Sequence, residues 1–257
     1  MPEDAVRNHF QNDLSINKAH HKDNLGIDKQ DCDFVVALAG NPNTGKSTVF
    51  NDLTGLHQHT GNWPGKTVTR AVGTYDFLEK KYKVVDLPGT YSLLAISEDE
   101  EIARDFILFG RPDVTVIVVD ATVLERNLNL VLQVLEITDR VVVDLNLMDE
   151  AHRHKIQIDH QKLSDILGVP VVPTVARYNK GIDDLLESVH YVATGQRKCN
   201  PYHIQTESDV LKNALDKLVK EIEAIYPDLP NIRWVALRIL DGDQRIIKAF
   251  VKGEFAP

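Results

Sequence analysis

The sequence predicts an α/β domain, a mostly parallel sheet flanked by helices, followed by a small all-helical domain. Three observations predict it. From Phe34 onward, short Val- and Ile-rich runs alternate with amphipathic stretches. The first run leads into a glycine-rich turn that opens a helix. Beyond Gly195 the strand pattern stops and only helical spacing remains.

The runs Phe34 to Ala39, Lys83 to Asp86, Val114 to Asp120, Arg140 to Leu145 and Pro170 to Pro173 read as buried parallel strands, because parallel sheets covered on both faces need near-continuous apolar segments. Leu163 to Leu167 and Ile182 to Val192 read as helices, and Tyr75, Phe77 and Tyr82 as strand and core residues. Glu98 to Glu101 reads as the acidic start of a helix, where negative charge favours the dipole. This domain is assigned residues 33–196, and a break follows at Gly195 to Pro201. Residues 197–257 are assigned to the helical domain. There Leu211, Leu215, Leu218, Val219, Ile222 and Ile225 recur at helical spacing, and Trp234 to Leu240 and Arg245 to Val251 follow as shorter helices. Residues 1–32 are polar without a sustained period and read as a mobile arm. In it, His9, His20 and His21 could touch a metal or simply belong to a solvated tail.

Bulk composition narrows the function. With 38 acidic against 29 basic residues the formal charge is −9, which disfavours both a nucleic-acid groove and a polybasic grip on anionic lipid. The two cysteines, Cys32 and Cys199, are far apart and imply neither a metal site nor a disulfide framework. The best apolar run, Val114 to Val123, is interrupted by Asp120 and falls short of the roughly 20 residues that span a bilayer. The N-terminus, with Glu3, Asp4 and Asp13, lacks the apolar core of a signal peptide. The chain as given is expected to be soluble.

Gly40 to Thr48 reads GNPNTGKST, directly after the first strand. It fits G-x-x-x-x-G-K-[ST], the P-loop. Glycines let such a loop wrap closely, so that backbone N–H groups converge on phosphate oxygens, and the following helix adds its N-terminal dipole. Asn41, Asn43, Thr44, Gly45, Lys46, Ser47 and Thr48 are therefore candidate nucleotide-binding residues. Lys46 brings a point charge to the outer phosphates, and Ser47 a hydroxyl to magnesium.

Asp86-Leu87-Pro88-Gly89 follows a strand. Asp86 there can hold magnesium through water, and the Gly89 N–H can meet a γ-phosphate. Between the two motifs lies Gly61-Asn62-Trp63-Pro64-Gly65-Lys66-Thr67, whose Thr67 is chosen over Thr69 as a second magnesium hydroxyl, with Gly65 beside it. Asn146-Leu147-Met148-Asp149 follows another strand and resembles the guanine-recognition motif of GTPases. The Asp149 carboxylate can accept from the guanine N1–H and N2–H₂ edge, which adenine does not offer. Met148 stands where lysine is usual, which predicts a weaker grip on the base. Thr174-Val175-Ala176-Arg177 follows the last strand; the Ala176 N–H would face guanine O6, and Val175 replaces a serine whose hydroxyl would brace the loop.

The motifs stand in GTPase order. The Gly-Asn-Pro-Asn loop, Asn-Trp-Pro-Gly-Lys-Thr and Asp-Leu-Pro-Gly-Thr-Tyr-Ser-Leu resemble the FeoB family of ferrous-iron transporters, as do Ala103-Arg104-Asp105-Phe106 and Arg233-Trp234-Val235-Ala236-Leu237. The resemblance runs from about Phe34 to Gly253. It implies a P-loop GTPase domain, then a helical domain that looks short and so incomplete here. It also implies a membrane-spanning transport domain of the same full-length protein as partner, on the cytoplasmic face of the inner membrane. Self-association is a further partner to consider; nucleic acid is not expected.

The resemblance implies GTP or GDP, Mg2+ and K+ as ligands. Thr90 and Tyr91 occupy the place where Ras-like enzymes carry a water-orienting glutamine, so catalysis would fall to Thr67 and backbone groups such as Gly89, with slow turnover. By the same resemblance potassium would replace an arginine finger. Asn43 is its candidate ligand, with loop bracing as the alternative use of its amide, and backbone carbonyls near Gly61 and Trp63 would complete the set.

Overall fold

The structure, a computed structural model, describes residues 31–55, 58–94, 97–203, 208–227, 229 and 231–255. The N-terminal arm as far as residue 30, with His9, His20 and His21, lies outside them. The chain divides into two compact units, and among the described residues the division falls between residues 203 and 208.

Among the described residues, seven strands form one sheet in the first unit, in the order β2-β3-β4-β1-β5-β6-β7. They are β1 Phe34–Gly40, β2 Gln58–Asn62, β3 Thr69–Phe77, β4 Lys80–Asp86, β5 Val114–Asp120, β6 Val141–Asn146 and β7 Val171–Pro173. Strands β4, β1, β5, β6 and β7 pair in parallel, and β2 and β3 add an antiparallel edge. Every residue of β6 is buried, and all but the last of β5, because helices cover both faces.

The helices of this unit are α1 Lys46–Thr54, α2 Glu98–Asp105, α3 Leu124–Leu135, α4 Met148–Arg153, α5 His160–Leu167 and α6 Ile182–Ala193. One face of the sheet, through Val36, Leu38, Val116, Val118, Val142 and Val172, packs with Val49 and Phe50 of α1 and with Ile182, Leu185 and Val189 of α6. Ser97 caps α2 by accepting from the Glu100 N–H, and four acidic residues fill its first turn. The α2 helix runs on into a π-helical turn, Phe106–Gly110.

The β2–β3 edge differs from the sequence reading, which treats residues 61–67 as a loop. Gln58–Asn62 is polar and carries a glycine, so nothing in its pattern marks a strand. It pairs because β3 beside it offers a free edge: Thr60 lies opposite Ala71 and Gly61 opposite Arg70.

The segment after Gly195 also behaves differently from a linker. The Asn200 N–H donates to Gly168 O at 3.0 Å and the Tyr202 N–H to Leu167 O at 3.0 Å, so this stretch lies docked against the end of α5. Gly168 caps that helix at φ 71°, and a Cβ there would fall 1.8 Å from Asn200 O. Only glycine permits both the left-handed turn and the close approach. The unit thus continues past residue 196, where the sequence reading ends it.

The second unit holds α7 Asp209–Ile225, α8 Ile232–Leu240 and α9 Gln244–Val251. Leu215 and Ile222 of α7, Val235 and Ala236 of α8, and Ile246 and Ala249 of α9 are buried. Asp243 caps α9 by accepting from the Arg245 and Ile246 N–H groups. No helix among the described residues is long and apolar enough to cross a membrane.

Candidate functional site

Parallel strands deliver their C-terminal ends to one edge of the sheet, where ligand sites of α/β folds gather. The loops after β1, β4, β6 and β7 carry the predicted motifs there.

The phosphate loop joins β1 to α1. Asn43 adopts a left-handed φ of 68° and is exposed; Gly45 follows at φ 84°. Thr44 is buried and its hydroxyl donates to Asn41 O at 3.0 Å. The Asn41 amide is buried with neither its nitrogen nor its oxygen hydrogen-bonded. The Thr48 and Val49 N–H groups both reach Gly45 O, which starts α1. Ser47 is exposed on the first turn. Lys46 Nζ is hydrogen-bonded to Asp86 Oδ1, so the phosphate loop and the Asp-Leu-Pro-Gly motif already touch. Burial pushes the Asp86 carboxyl up, and the Lys46 charge opposes that. Gly89 packs against Pro42, and the Thr90 N–H donates to Gly40 O at 3.2 Å. The Thr90 side chain is buried, which keeps it out of any water-orienting role.

Asn146 links the two halves of the site. Its Nδ2 donates to Thr44 O at 3.0 Å, and its Oδ1 accepts from the Ala176 N–H at 3.1 Å and lies 3.2 Å from the Thr174 hydroxyl. It lies so close to the phosphate loop that a Cβ on Gly45 would come within 2.4 Å of Nδ2. Leu147 turns the chain at φ 62° and starts α4. The Met148 N–H donates to Thr174 O at 3.2 Å. Asp149 Oδ1 is buried without a hydrogen-bond partner, while Oδ2 lies 3.5 Å from Arg153. Arg177 is exposed, 3.6 Å from Glu150.

The remaining candidates sit apart. Thr67 is exposed in the turn between β2 and β3, and no hydrogen bond or ion pair involves it among the described residues. Gly65 occupies the same turn at φ 69°. Lys66 ties this turn to α2 through Glu101 at 3.1 Å and Glu98 at 3.6 Å, contacts that the sequence reading, with its dipole role for these glutamates, misses. Trp63 is buried; its N–H donates to Val68 O and its carbonyl accepts from the Lys66 N–H at 3.0 Å. Gly61 belongs to the β2–β3 ladder. The Trp63 carbonyl is thus engaged in the turn, and of the expected potassium ligands Asn43 alone stands on the phosphate loop.

The sequence model of the family described as "Ferrous iron transport protein B" matches residues 34–189. The chain belongs to the ferrous iron transport protein B family. It is 41% identical over 212 residues to the Fe(2+) transporter FeoB of Escherichia coli strain K12, an alignment covering 81% of this chain and 27% of that protein. The chain thus spans about a quarter of the length of the curated relatives it matches. It is similar in structure to the cytosolic domain of L. pneumophila FeoB, with a TM-score of 0.76, 37% identity and coverage of 86% of this chain and 87% of that one. The GDP form I of the cytosolic domain of T. maritima FeoB gives a TM-score of 0.75 at 35% identity, covering 85% and 84%.

Two residues beside the site that sequence reasoning missed are Thr174, whose hydroxyl joins the loop after β7 to β6, and Asp144. Asp144 interrupts an apolar strand, VVVDLN, and that interruption is a readable signal of a buried polar role. Its Oδ1 accepts from the Thr174 hydroxyl and its Oδ2 is buried without a partner.

At Val175 the structure shows backbone bonds that the sequence reading does not include. The Val175 N–H donates to Lys180 O at 3.0 Å, and its carbonyl accepts from Tyr178 N at 2.9 Å and Lys180 N at 3.3 Å. Together with Thr174 and Ala176 held by Asn146, these bonds brace the loop without a serine hydroxyl. Val175→Ser is therefore expected to change the release rate of a fluorescent GDP by less than about twofold, the lower end of one neutral hydrogen bond. Stopped-flow release that slows several-fold would show that the backbone bonds do not suffice.

Proposed function

We propose that this chain binds GTP, hydrolyses it slowly with help from potassium, and thereby gates ferrous-iron passage through a membrane-spanning domain of a longer protein. The observation that carries the guanine reading is Asp149 Oδ1, a buried carboxylate oxygen without a donor, next to the loop that Asn146 clamps. Such an orphan costs about 1–3 kcal/mol, and the guanine N1–H and N2–H₂ pair supplies the missing donors. Adenine presents no such pair. Arg153 lies 3.5 Å from Oδ2 and leaves Oδ1 uncovered.

The phosphate end follows from the same geometry. Backbone N–H groups from Asn43 to Ser47 would cradle the phosphates at the start of α1. Lys46, now on Asp86, would bring its charge to the outer phosphates. Magnesium, when bound, neutralises charge on the transferred phosphoryl group; Ser47 and Asp86 fit as its holders, and Thr67 would join them from the β2–β3 turn. Thr67 and the Gly89 N–H would orient the attacking water, since Thr90 is buried. Without a side-chain amide or an arginine at the γ-phosphate, turnover is slow. Regulation of ferrous-iron transport rests on the family.

Two experiments test this reading. In competition binding, GTP should displace a labelled GDP far better than ATP. Asp149→Asn should lose that preference by about tenfold or more, as expected for a charge-assisted pair, and gain xanthine nucleotide binding. Equal affinity of the unaltered protein for ATP and GTP overturns the base assignment.

Hydrolysis should be faster in potassium than in sodium chloride at matched ionic strength, and Asn43→Ala should remove most of the difference. Identical rates in the two salts, measured as phosphate release, would leave Asn43 as a loop-bracing amide.

A further inference from the structure

Asp144 lies in the middle of β6, on the face that carries Val142 and Asn146. Its register partners are Val118 on β5 and Val172 on β7. The helices over this face present Val49, Phe50 and Leu53 from α1 and Ile182, Leu185 and Val189 from α6. The ionisable residues of these surroundings are engaged elsewhere. Lys46 holds Asp86, Asp120 accepts from Thr122, Arg177 faces Glu150, His190 bonds Tyr82, and Asp52, Asp183 and Asp184 are exposed. Among the described residues the one side-chain polar contact of Asp144 is the Thr174 hydroxyl, which also lies 3.2 Å from Asn146 Oδ1.

That hydroxyl has one proton to give. When Asp144 is ionised, Thr174 must donate to it, and Asn146 Oδ1 faces a lone pair. When Asp144 is protonated, it can donate to Thr174 Oγ, and Thr174 is released to donate to Asn146 Oδ1. The three groups then form a directed chain that ends on the amide bridging the phosphate and base loops. In the structure Asn146 Oδ1 has a second donor, the Ala176 N–H. On the GTP-binding reading above, that N–H turns to guanine O6 when nucleotide arrives, and Thr174 becomes the donor on which Asn146 Oδ1 depends.

We infer that Asp144 is a positioning residue whose proton, relayed through Thr174, sets how tightly the base loop holds a guanine nucleotide. Burial pushes the Asp144 carboxyl up to about 7, against the opposing pull of the Thr174 hydroxyl, so the chain titrates near neutral pH. The sign follows from linkage: bound nucleotide favours the protonated carboxyl, so affinity is full below this range and falls as pH rises through it.

The test is the affinity for GDP labelled on the ribose, measured from about pH 6 to about pH 8.5 in the unaltered protein, Asp144→Asn and Thr174→Val. The asparagine donates to Thr174 at every pH. It should keep the low-pH affinity of the unaltered protein and lack the decline, which should be about two- to tenfold, the span of one neutral hydrogen bond. Thr174→Val should bind more weakly throughout and also lack the decline; it carries the test alone if Asp144→Asn does not fold. Parallel pH profiles for all three proteins overturn the relay. Failure of every variant and of the unaltered protein to bind labelled GDP at any pH overturns the GTP reading itself, and the relay with it.

Discussion

The Asn146 side chain is the strut on which the site depends. One amide ties the phosphate loop, at Thr44 O, to the base loop, at the Ala176 N–H, across a gap that the fold leaves between the ends of β1 and β7. Buried polar groups have to be paired, so the amide fixes both loops at once: moving either one strands a donor or an acceptor out of water. Gly45 records how tight the fit is, since a methyl group there would collide with the same amide.

The sheet exists to place that strut. β1, β5 and β6 are buried almost throughout and keep their register by apolar packing on both faces, which delivers Gly40, Asp120 and Asn146 to one edge. The phosphate-facing groups thus stand on rigid elements. The β2–β3 turn with Thr67 stands instead on an edge hairpin, tied to α2 by Lys66 through partly exposed ion pairs. Such pairs contribute little, roughly 0–1 kcal/mol, so the firmer anchor of this segment is the buried Trp63 ring, edge-on to Phe106 at 5.5 Å.

The sequence made the parallel strands readable because their apolar runs are unbroken, and the P-loop and Asp-Leu-Pro-Gly because glycine, lysine and aspartate at fixed spacing have one common use. It did not make β2 readable, since Gln58–Asn62 has the composition of a loop and becomes a strand only beside β3. Nor did it reveal the bonds of Val175, where backbone groups do what the missing hydroxyl was expected to do. Residue types cannot report backbone pairing of that kind. Asp144 was visible as an acid inside VVVDLN, but its partner, Thr174, lies on another strand end and emerges only from the pairing of β6 with β7.

The most direct test of the strut is calorimetric titration of Asn146→Ala with GDP and with inorganic pyrophosphate, a ligand that has no base. If the amide positions the phosphate loop, both affinities fall, pyrophosphate by at least about two- to tenfold for the hydrogen bond lost at Thr44. If pyrophosphate binds Asn146→Ala as it binds the unaltered protein while GDP alone weakens, Asn146 serves the base only, and the phosphate loop holds its shape without it.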